Sequence, residues 1–295
     1  MKKQWIVSCF VSILMFSACY KNEDIKGEEP LPKYSVEDSD DVVDHYIFEF
    51  YENYGCFILY DYQENDYIWN MSSLLNVFLV KQTDRDNLEQ GIEYLKKVFF
   101  DDYSDDFKRK YFPFKILMAD SVQITSNGVV YEDEVAESGL SFLALGKIRS
   151  GINGISVDSL RSLKGDVQAT YWADFLYNNG ILQLSEAFWS ISDDYYGVNL
   201  KNESGNSSLT PDEIDVKKYG FWDRDRKRDI GTGYCYAPDK TLDIYQFIQM
   251  IVTHTTEEID ELMDGYDKLK DKYNLLINHI NDEYGFDIRD LSNVK

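Results

Sequence analysis

The stretch that decides the fold is Tyr171-Trp172-Ala173-Asp174-Phe175-Leu176-Tyr177-Asn178-Asn179, near the middle of a 295-residue chain. Trp172, Phe175 and Leu176 recur at helical spacing, which is typical of a helix with one apolar face. We predict a helix over residues 158–179 with this stripe packed in the core. Trp172 and Tyr177 are also candidate ligand-binding residues, because exposed aromatic rings stack on sugars and grip peptide side chains.

The composition is that of a folded, acidic protein. The chain is 44% hydrophobic and 15% aromatic, enough for a large core in one big domain or two small ones. Its formal net charge is −23, and nucleic-acid binding needs a basic face. We therefore exclude nucleic-acid binding.

The N-terminus predicts a lipid anchor. Lys2 and Lys3 precede an apolar run, Trp5 to Phe16, that is too short to span a bilayer comfortably, and Ser17-Ala18-Cys19 follows. This arrangement resembles a bacterial lipoprotein signal, in which the chain is cut before a cysteine that is then acylated. The resemblance implies a signal peptide over residues 1–18 and lipidation of Cys19. The alternative is an ordinary secretory signal with an incidental cysteine.

Residues 19–39 are polar and predict a flexible tether, so that a single domain would occupy residues 40–295. Tyr20-Lys21-Asn22-Glu23-Asp24 resembles the acidic signal that sends lipoproteins of Bacteroides-like bacteria to the outer face of the outer membrane. The resemblance implies an outer-membrane, cell-surface location. The alternative is a solvated linker.

The domain itself alternates helix and strand patterns in its first half. Periodicity and turn residues predict a helix, a strand, two helices, two further strands with a hairpin at Asn127-Gly128, and a C-terminal half that is mostly helical. We therefore expect an α+β fold with a small mixed sheet packed against helices. The predicted ranges are helices at 41–54, 72–80, 86–100, 241–254 and 257–284, and strands at 56–62, 115–120 and 141–146.

The order of these elements resembles a Bacteroidetes lipoprotein family of zinc metallopeptidases associated with substrate import. The segments that carry the resemblance are Tyr54 to Tyr62, Phe112 to Ser121, and Gly220-Phe221. The resemblance covers about residues 40–291, and it implies a zincin-like fold. It also implies a nutrient-import role beside a SusC/SusD-like transporter.

Members of that family carry H-E-x-x-H in the central helix, where two His bind zinc and the Glu polarises a metal-bound water. Aligned on its neighbours, this chain has Tyr171, Trp172 and Phe175 at those positions. Asp243 alone remains from a later acidic motif. Aromatic rings do not ligate zinc, so this would be a degenerate member.

We therefore predict a pseudoenzyme with no catalytic residue, no metal ligand and no cofactor. It would bind a glycan or peptide, or serve as an accessory to the transporter. The alternative is an active zinc-dependent peptidase with non-standard ligands, for which His254, His279 and Asp243 would have to converge. The sequence leaves open whether Cys56 and Cys235 form a disulfide.

One mixed-sign segment stands out, Asp223 to Asp229, because four of its seven residues are basic in an acidic protein. It is either an anion-binding site or a solvated turn whose charges pair with one another. The sequence favours the self-paired turn.

Overall fold

The first half of the domain is built on a mixed sheet, as seen in a computed structural model that describes residues 34–67, 76–126, 129–206, 208–229 and 233–293. The strands are β1 (Phe57–Leu59), β2 (Asn76–Lys81), β3 (Lys115–Ser126), β4 (Val129–Glu134), β5 (Ala136–Ser138) and β6 (Phe142–Leu145). All of these strands belong to one compact unit, Val36–Lys295.

The twelve-residue strand β3 organises the sheet. Its first half lies between β1 and β6, parallel to both, and its second half lies between β2 and β4, antiparallel to both. Strand β5 then pairs antiparallel with β6. Every residue of β6 is buried, as expected of a strand covered on both faces.

Helices enclose this sheet and form the second half of the domain. They are α1 (Val42–Tyr54), α2 (Arg85–Val98), α3 (Asp105–Tyr111), α4 (Val157–Ala169), α5 (Glu186–Ser190), α6 (Leu200–Glu203), α7 (Arg226–Asp229), α8 (Lys240–Thr253), α9 (Thr256–Leu262) and α10 (Asp267–Tyr284). Helix α4 continues without a break as a π-helix, Thr170–Tyr177. Among the described residues, none of the helices combines the length and apolarity needed to span a bilayer.

Helix α4 begins and packs as its sequence predicts. The Ser156 hydroxyl caps it by accepting a hydrogen bond from the Ser159 N–H at 3.1 Å, which satisfies one of the free donors of the first turn. The helix then packs against α2 and α8. Its apolar side chains join the large core between the sheet and the helices, so α4 is the central helix of the domain.

The mixed sheet and the mostly helical second half agree with the sequence prediction, with two clear corrections. The single helix predicted over residues 257–284 is two helices, α9 and α10, separated by a turn. The helix predicted over residues 72–80 is wrong, because residues 76–81 form strand β2 beside β3. The β-branched and aromatic residues Val77, Phe78 and Val80 suit a strand better than a helix. Residues 72–75 lie outside the described residues.

Several predicted features also lie outside the described residues. They are the signal peptide over residues 1–18, the lipidation site Cys19, most of the tether over residues 19–39, and the hairpin turn at Asn127-Gly128. Cys56 and Cys235 are described, and both are buried free thiols.

Candidate binding cleft

The central helix has two chemically different faces, and one of them is locked into an aromatic core. Trp172 and Tyr171 are completely buried. The Trp172 indole N–H donates to the Tyr103 hydroxyl at 2.9 Å, and that hydroxyl donates in turn to the side-chain oxygen of Gln168. The Tyr171 hydroxyl donates to the Tyr111 carbonyl oxygen at 2.9 Å. These bonds fix the rotation of the helix about its axis.

The opposite face points into a cavity of about 840 Å³. Asp166, Thr170 and Asp174, each four residues after the last, line its floor. Strands β4 and β5 and the N-terminal turn of α8 form its walls. The lining residues are Asp133, Glu134, Val135, Ala136, Glu137, Asp166, Thr170, Asp174, Lys227, Asp239, Thr241, Leu242 and Tyr245.

The structure places the residues of the predicted motif away from this cleft. Tyr171 and Trp172 are fully buried, and Phe175 is 4% exposed. Trp172 therefore presents no surface to a ligand. Tyr177 is half-buried, with its ring 5.6 Å from that of Trp189, and it does not line the cavity.

Thr170 and Asp174 are the pair of helix residues, four apart, that face the cleft. They lie one position before the pair Tyr171 and Phe175 that the sequence alignment indicated. In the sequence, two polar residues four apart within an apolar stretch indicate a helix face that is not part of the core. The sequence analysis did not select Thr170 and Asp174 because neither is a histidine.

The cleft is strongly acidic, and its carboxylates perturb one another. Burial, together with the nearby negative charges of Glu137 and Asp239, raises the pKa of Asp174 to about 7. Burial also raises the pKa of Glu137 and that of Asp166. Desolvation and like charges both favour the protonated acid, so these three carboxyl groups keep their protons to higher pH than exposed ones do.

The donors in this cleft do not fit a zinc centre. Within the described ranges, no three His, Cys, Asp or Glu side chains are grouped so that they could hold a metal ion. Of the two helix residues four apart that line the cleft, Thr170 offers only a neutral hydroxyl, which is a weak zinc ligand.

The three histidines do not supply the missing ligands. His45 pairs with Asp38 at 2.7 Å, His254 packs against Trp222, and His279 packs against Tyr284. Asp243 and His254 are eleven residues apart along α8 and its C-terminal cap, which separates them by roughly 16 Å. The set of His254, His279 and Asp243 therefore does not converge in this structure.

Asp243 instead forms a fully buried ion pair with Lys272 of α10. The Lys272 ammonium donates to Asp243 Oδ2 at 2.5 Å, and both side chains are 0% exposed. The Tyr196 hydroxyl donates to the same oxygen at 2.7 Å. Four aromatic rings surround the ammonium, with centroids 4.8–5.4 Å away, and they belong to Phe188, Tyr196, Phe221 and Phe247.

This pair is a structural link between α8 and α10. Burial raises the pKa of Asp243 and lowers that of Lys272, so each side chain keeps its charge only in the presence of the other. Gly220 adopts a left-handed φ of +86° here, and a Cβ at that position would lie 2.6 Å from Ser192 Oγ. The Gly220-Phe221 segment thus closes the aromatic cage.

The basic cluster at residues 223–229 is largely self-paired. Arg226 Nε donates to Asp223 Oδ2 at 2.6 Å, and Arg224 lies 2.5 Å from Asp229 and 2.7 Å from Asp212. Lys227 is the member that reaches toward the cleft, where its ammonium donates to Glu134 at 3.0 Å.

A comparison with solved structures identifies the architecture. The chain is similar to the crystal structure of a candidate zinc-binding metallo-peptidase from Bacteroides caccae ATCC 43185, with a TM-score of 0.50. The match covers 88% of this chain and 94% of that one, at 17% sequence identity. The fold is zincin-like. This confirms the predicted fold class, and at this identity the likeness establishes the fold alone.

No family model matches the sequence, and no curated protein matches it. Asp166, Thr170 and Asp174 of the central helix line the cleft, and the aromatic residues of the predicted motif lie on the opposite face of that helix, in the core.

The shifted pKa of Asp174 makes the folded state sensitive to pH. Its pKa rises from 3.8 to about 7 on folding, so the folded protein keeps a proton that the unfolded chain loses. This contribution is present below about pH 4 and is lost as the pH rises toward 7. One pKa unit corresponds to about 1.4 kcal/mol, and solvent in the open cleft reduces the whole effect to about 1–3 kcal/mol.

We expect Asp174→Asn to remove the part of the pH-dependent loss of folding stability that comes from Asp174. Urea unfolding of the wild type and the variant at pH 5 and pH 8 would measure it, with the exposed Asp260→Asn substitution as the control. Between pH 5 and pH 8, the free energy of unfolding should fall less in Asp174→Asn than in the wild type or in Asp260→Asn. Equal losses in all three would contradict the raised pKa of Asp174.

The buried pair predicts a specific pattern of mutant stabilities. Lys272→Met should reduce the free energy of unfolding by about 3–5 kcal/mol, because it leaves the Asp243 carboxylate buried without a counter-charge. The double substitution Lys272→Met with Asp243→Leu should cost less than the single one, since no charge then remains. Denaturant unfolding of the three proteins would test this, and a double variant less stable than the single one would refute it.

Proposed function

We propose that this protein is a metallopeptidase-like binding protein that holds an extended peptide in the acidic cleft and has no zinc centre. The observation that carries the proposal is the composition of the cleft floor. Thr170 and Asp174 take the two helix positions at i and i+4 that face it. The side chains that remain suit hydrogen bonds and charge pairing better than metal-assisted hydrolysis.

The wall of the cleft supports a peptide ligand. Within the part of the chain that the structure describes, β5 pairs with β6 on one side only. The bonds from the Gly139 N–H to Phe142 and from the Gly146 N–H to Val135 set the hydrogen-bonded register of β5. Residues alternate along a strand, so the backbone groups of Ala136 and Ser138 point away from β6.

A strand edge of this kind is a template for another chain. An extended peptide can add to it through main-chain hydrogen bonds, and alternate side chains then enter the neighbouring pockets. The Ser138 N–H is bonded to its neighbour's side chain, Glu137 Oε1, at 3.0 Å. The Ala136 N–H is the other donor of β5 that points away from β6, and Ala136 itself is 8% exposed. Both Ala136 and Glu137 line the cavity, so a peptide on this edge would lie over Asp174.

The location of the protein is part of the proposal. The basic residues, the short apolar run and Cys19 support a lipoprotein anchored in the outer membrane, and the acidic residues after Cys19 support exposure at the cell surface. A domain tethered there could deliver a captured peptide to a SusC/SusD-like transporter. That partnership rests on the resemblance of the sequence to an import-associated family.

Peptide binding along β5 can be tested with one proline. Ala136→Pro removes the outward N–H, and proline is tolerated at a strand edge. Ala136→Ser keeps the N–H and serves as the control. In a peptide-array screen with the full chain in detergent, we expect the proline variant to lose at least about tenfold in affinity, while the serine variant binds as the wild type does.

Metal content should be measured on the same preparations, before and after incubation with zinc. We expect less than about a tenth of an equivalent of zinc in each, because the donors do not fit the ion. One equivalent of zinc would refute the metal-free proposal. Equal peptide binding by the proline variant and the wild type would refute strand addition.

Lipid anchoring has its own test. Cys19→Ser removes the thiol that would be acylated, so the protein should move from the membrane fraction to the soluble fraction and lose incorporation of labelled palmitate. Cys9→Ser is the matched control, because Cys9 lies within the predicted signal peptide. A Cys19→Ser protein that still carries the label would contradict anchoring at this residue.

A further inference from the structure

The cleft also indicates which kind of peptide it takes. Resting on the proposed function, we infer that the cleft selects a peptide with a lysine or arginine side chain, whose cation pairs with Asp174. We further infer that Lys227 competes with that cation for the same acidic surface.

The charge of the lining is one-sided. Six of the thirteen lining residues are carboxylates, and Lys227 is the one cationic side chain among them. Low-dielectric walls strengthen such a potential, so the cleft attracts cations and repels anions. Since no three of the described acidic side chains are grouped to hold a metal ion, the geometry favours an organic cation.

Most of the lining carboxylates already have partners within the protein. Asp133 lies 2.6 Å from Lys147 and 2.9 Å from Arg149. Asp239 caps α8 by accepting from the Leu242 N–H at 2.8 Å. Glu134 is paired with Lys227. These three carboxylates are held in place, and their charges are partly compensated.

The deeper carboxylates show one exception. Asp166 accepts from Gln249 at 2.6 Å and from Tyr245 at 3.3 Å, and Glu137 accepts from the Ser138 N–H. Asp174 lies among them, largely enclosed, and makes no hydrogen bond or ion pair with any residue that the structure describes. An enclosed carboxylate without a partner is costly.

A cationic side chain resolves that cost. An ammonium or guanidinium against Asp174 would supply the missing hydrogen bonds and the opposite charge. Glu137 lines the same cavity and adds negative charge near Asp174. A peptide added to β5 would bring its side chains to this depth, because Glu137 belongs to that strand. The free edge and the unpaired carboxylate thus point to the same ligand.

Lys227 should affect cation binding in the opposite direction to Asp174. Its side chain is 73% exposed and extends from α7 across the rim of the cleft to Glu134. It is therefore an internal cation at the entrance, held by a solvent-exposed ion pair of small stability. An incoming cation must compete with Lys227 for the acidic side chains, whereas an incoming anion would need to pair with Lys227.

The experiment uses a matched set of pentapeptides, acetyl-Ala-Val-Xaa-Val-Ala-amide, in which Xaa is lysine, arginine, norleucine or glutamate. Titration calorimetry with the full chain in detergent measures their affinities for the wild type, Asp174→Asn and Lys227→Gln. Asp260→Asn is the control for a carboxylate lost elsewhere on the surface. Circular dichroism verifies that each variant is folded, and Asp174→Glu provides a charge-preserving variant.

We expect the lysine and arginine peptides to bind at least about tenfold more tightly than the norleucine peptide. Asp174→Asn should abolish that preference while changing norleucine binding by less than about twofold, and Asp174→Glu should retain part of it. Lys227→Gln should strengthen binding of the cationic peptides severalfold, because it removes the competing charge.

The outcomes separate this inference from the proposed function. Binding of all four peptides with equal affinity, still sensitive to Ala136→Pro, would overturn the cation preference and leave strand addition intact. Preferential binding of the glutamate peptide, lost in Lys227→Gln, would overturn it as well. Failure of every peptide to bind would overturn both.

Discussion

The chain of hydrogen bonds from Trp172 through Tyr103 to Gln168 is the constraint on which the cleft depends. It holds one face of the central helix in an aromatic core, where a rotation would break buried bonds that have no alternative partners. With that face fixed, Asp166, Thr170 and Asp174 can only point the other way. The chemistry of the cleft is therefore set by residues that never touch it.

The fold and the lining of the cleft are supported by different interactions. The sheet is held by β3, the helices by the aromatic core, and α8 and α10 by the buried pair of Asp243 and Lys272. None of these requires a metal ion. The cleft has a concave surface, negative charge and a strand edge that is unpaired among the described residues, and these are properties of a binding site.

The sequence predicted the fold better than the site. Periodicity placed most helices and the strands containing Ile116 and Leu143, because each shows a local pattern that depends on one element alone. Strand β2 was missed, since its stability comes from pairing with β3. The role of Asp243 depends on its ion pair with Lys272, and the role of Asp174 depends on the cavity that distant segments form around it. A local sequence pattern does not show which distant residues come together, and the family resemblance pointed to the neighbouring aromatic residues instead.

The π-helical segment Thr170–Tyr177 has a consequence for how such domains are recognised. Its hydrogen bonds join residues five apart, as between the Asn178 N–H and the Ala173 carbonyl at 3.3 Å, whereas an α-helix joins residues four apart. Each π turn takes up more chain, so side chains beyond it are displaced around the axis relative to an α-helical template. A motif defined by fixed α-helical spacing therefore does not describe the direction of the side chains in this segment. Alignments of this helix should be made on the direction of its side chains rather than on its letters.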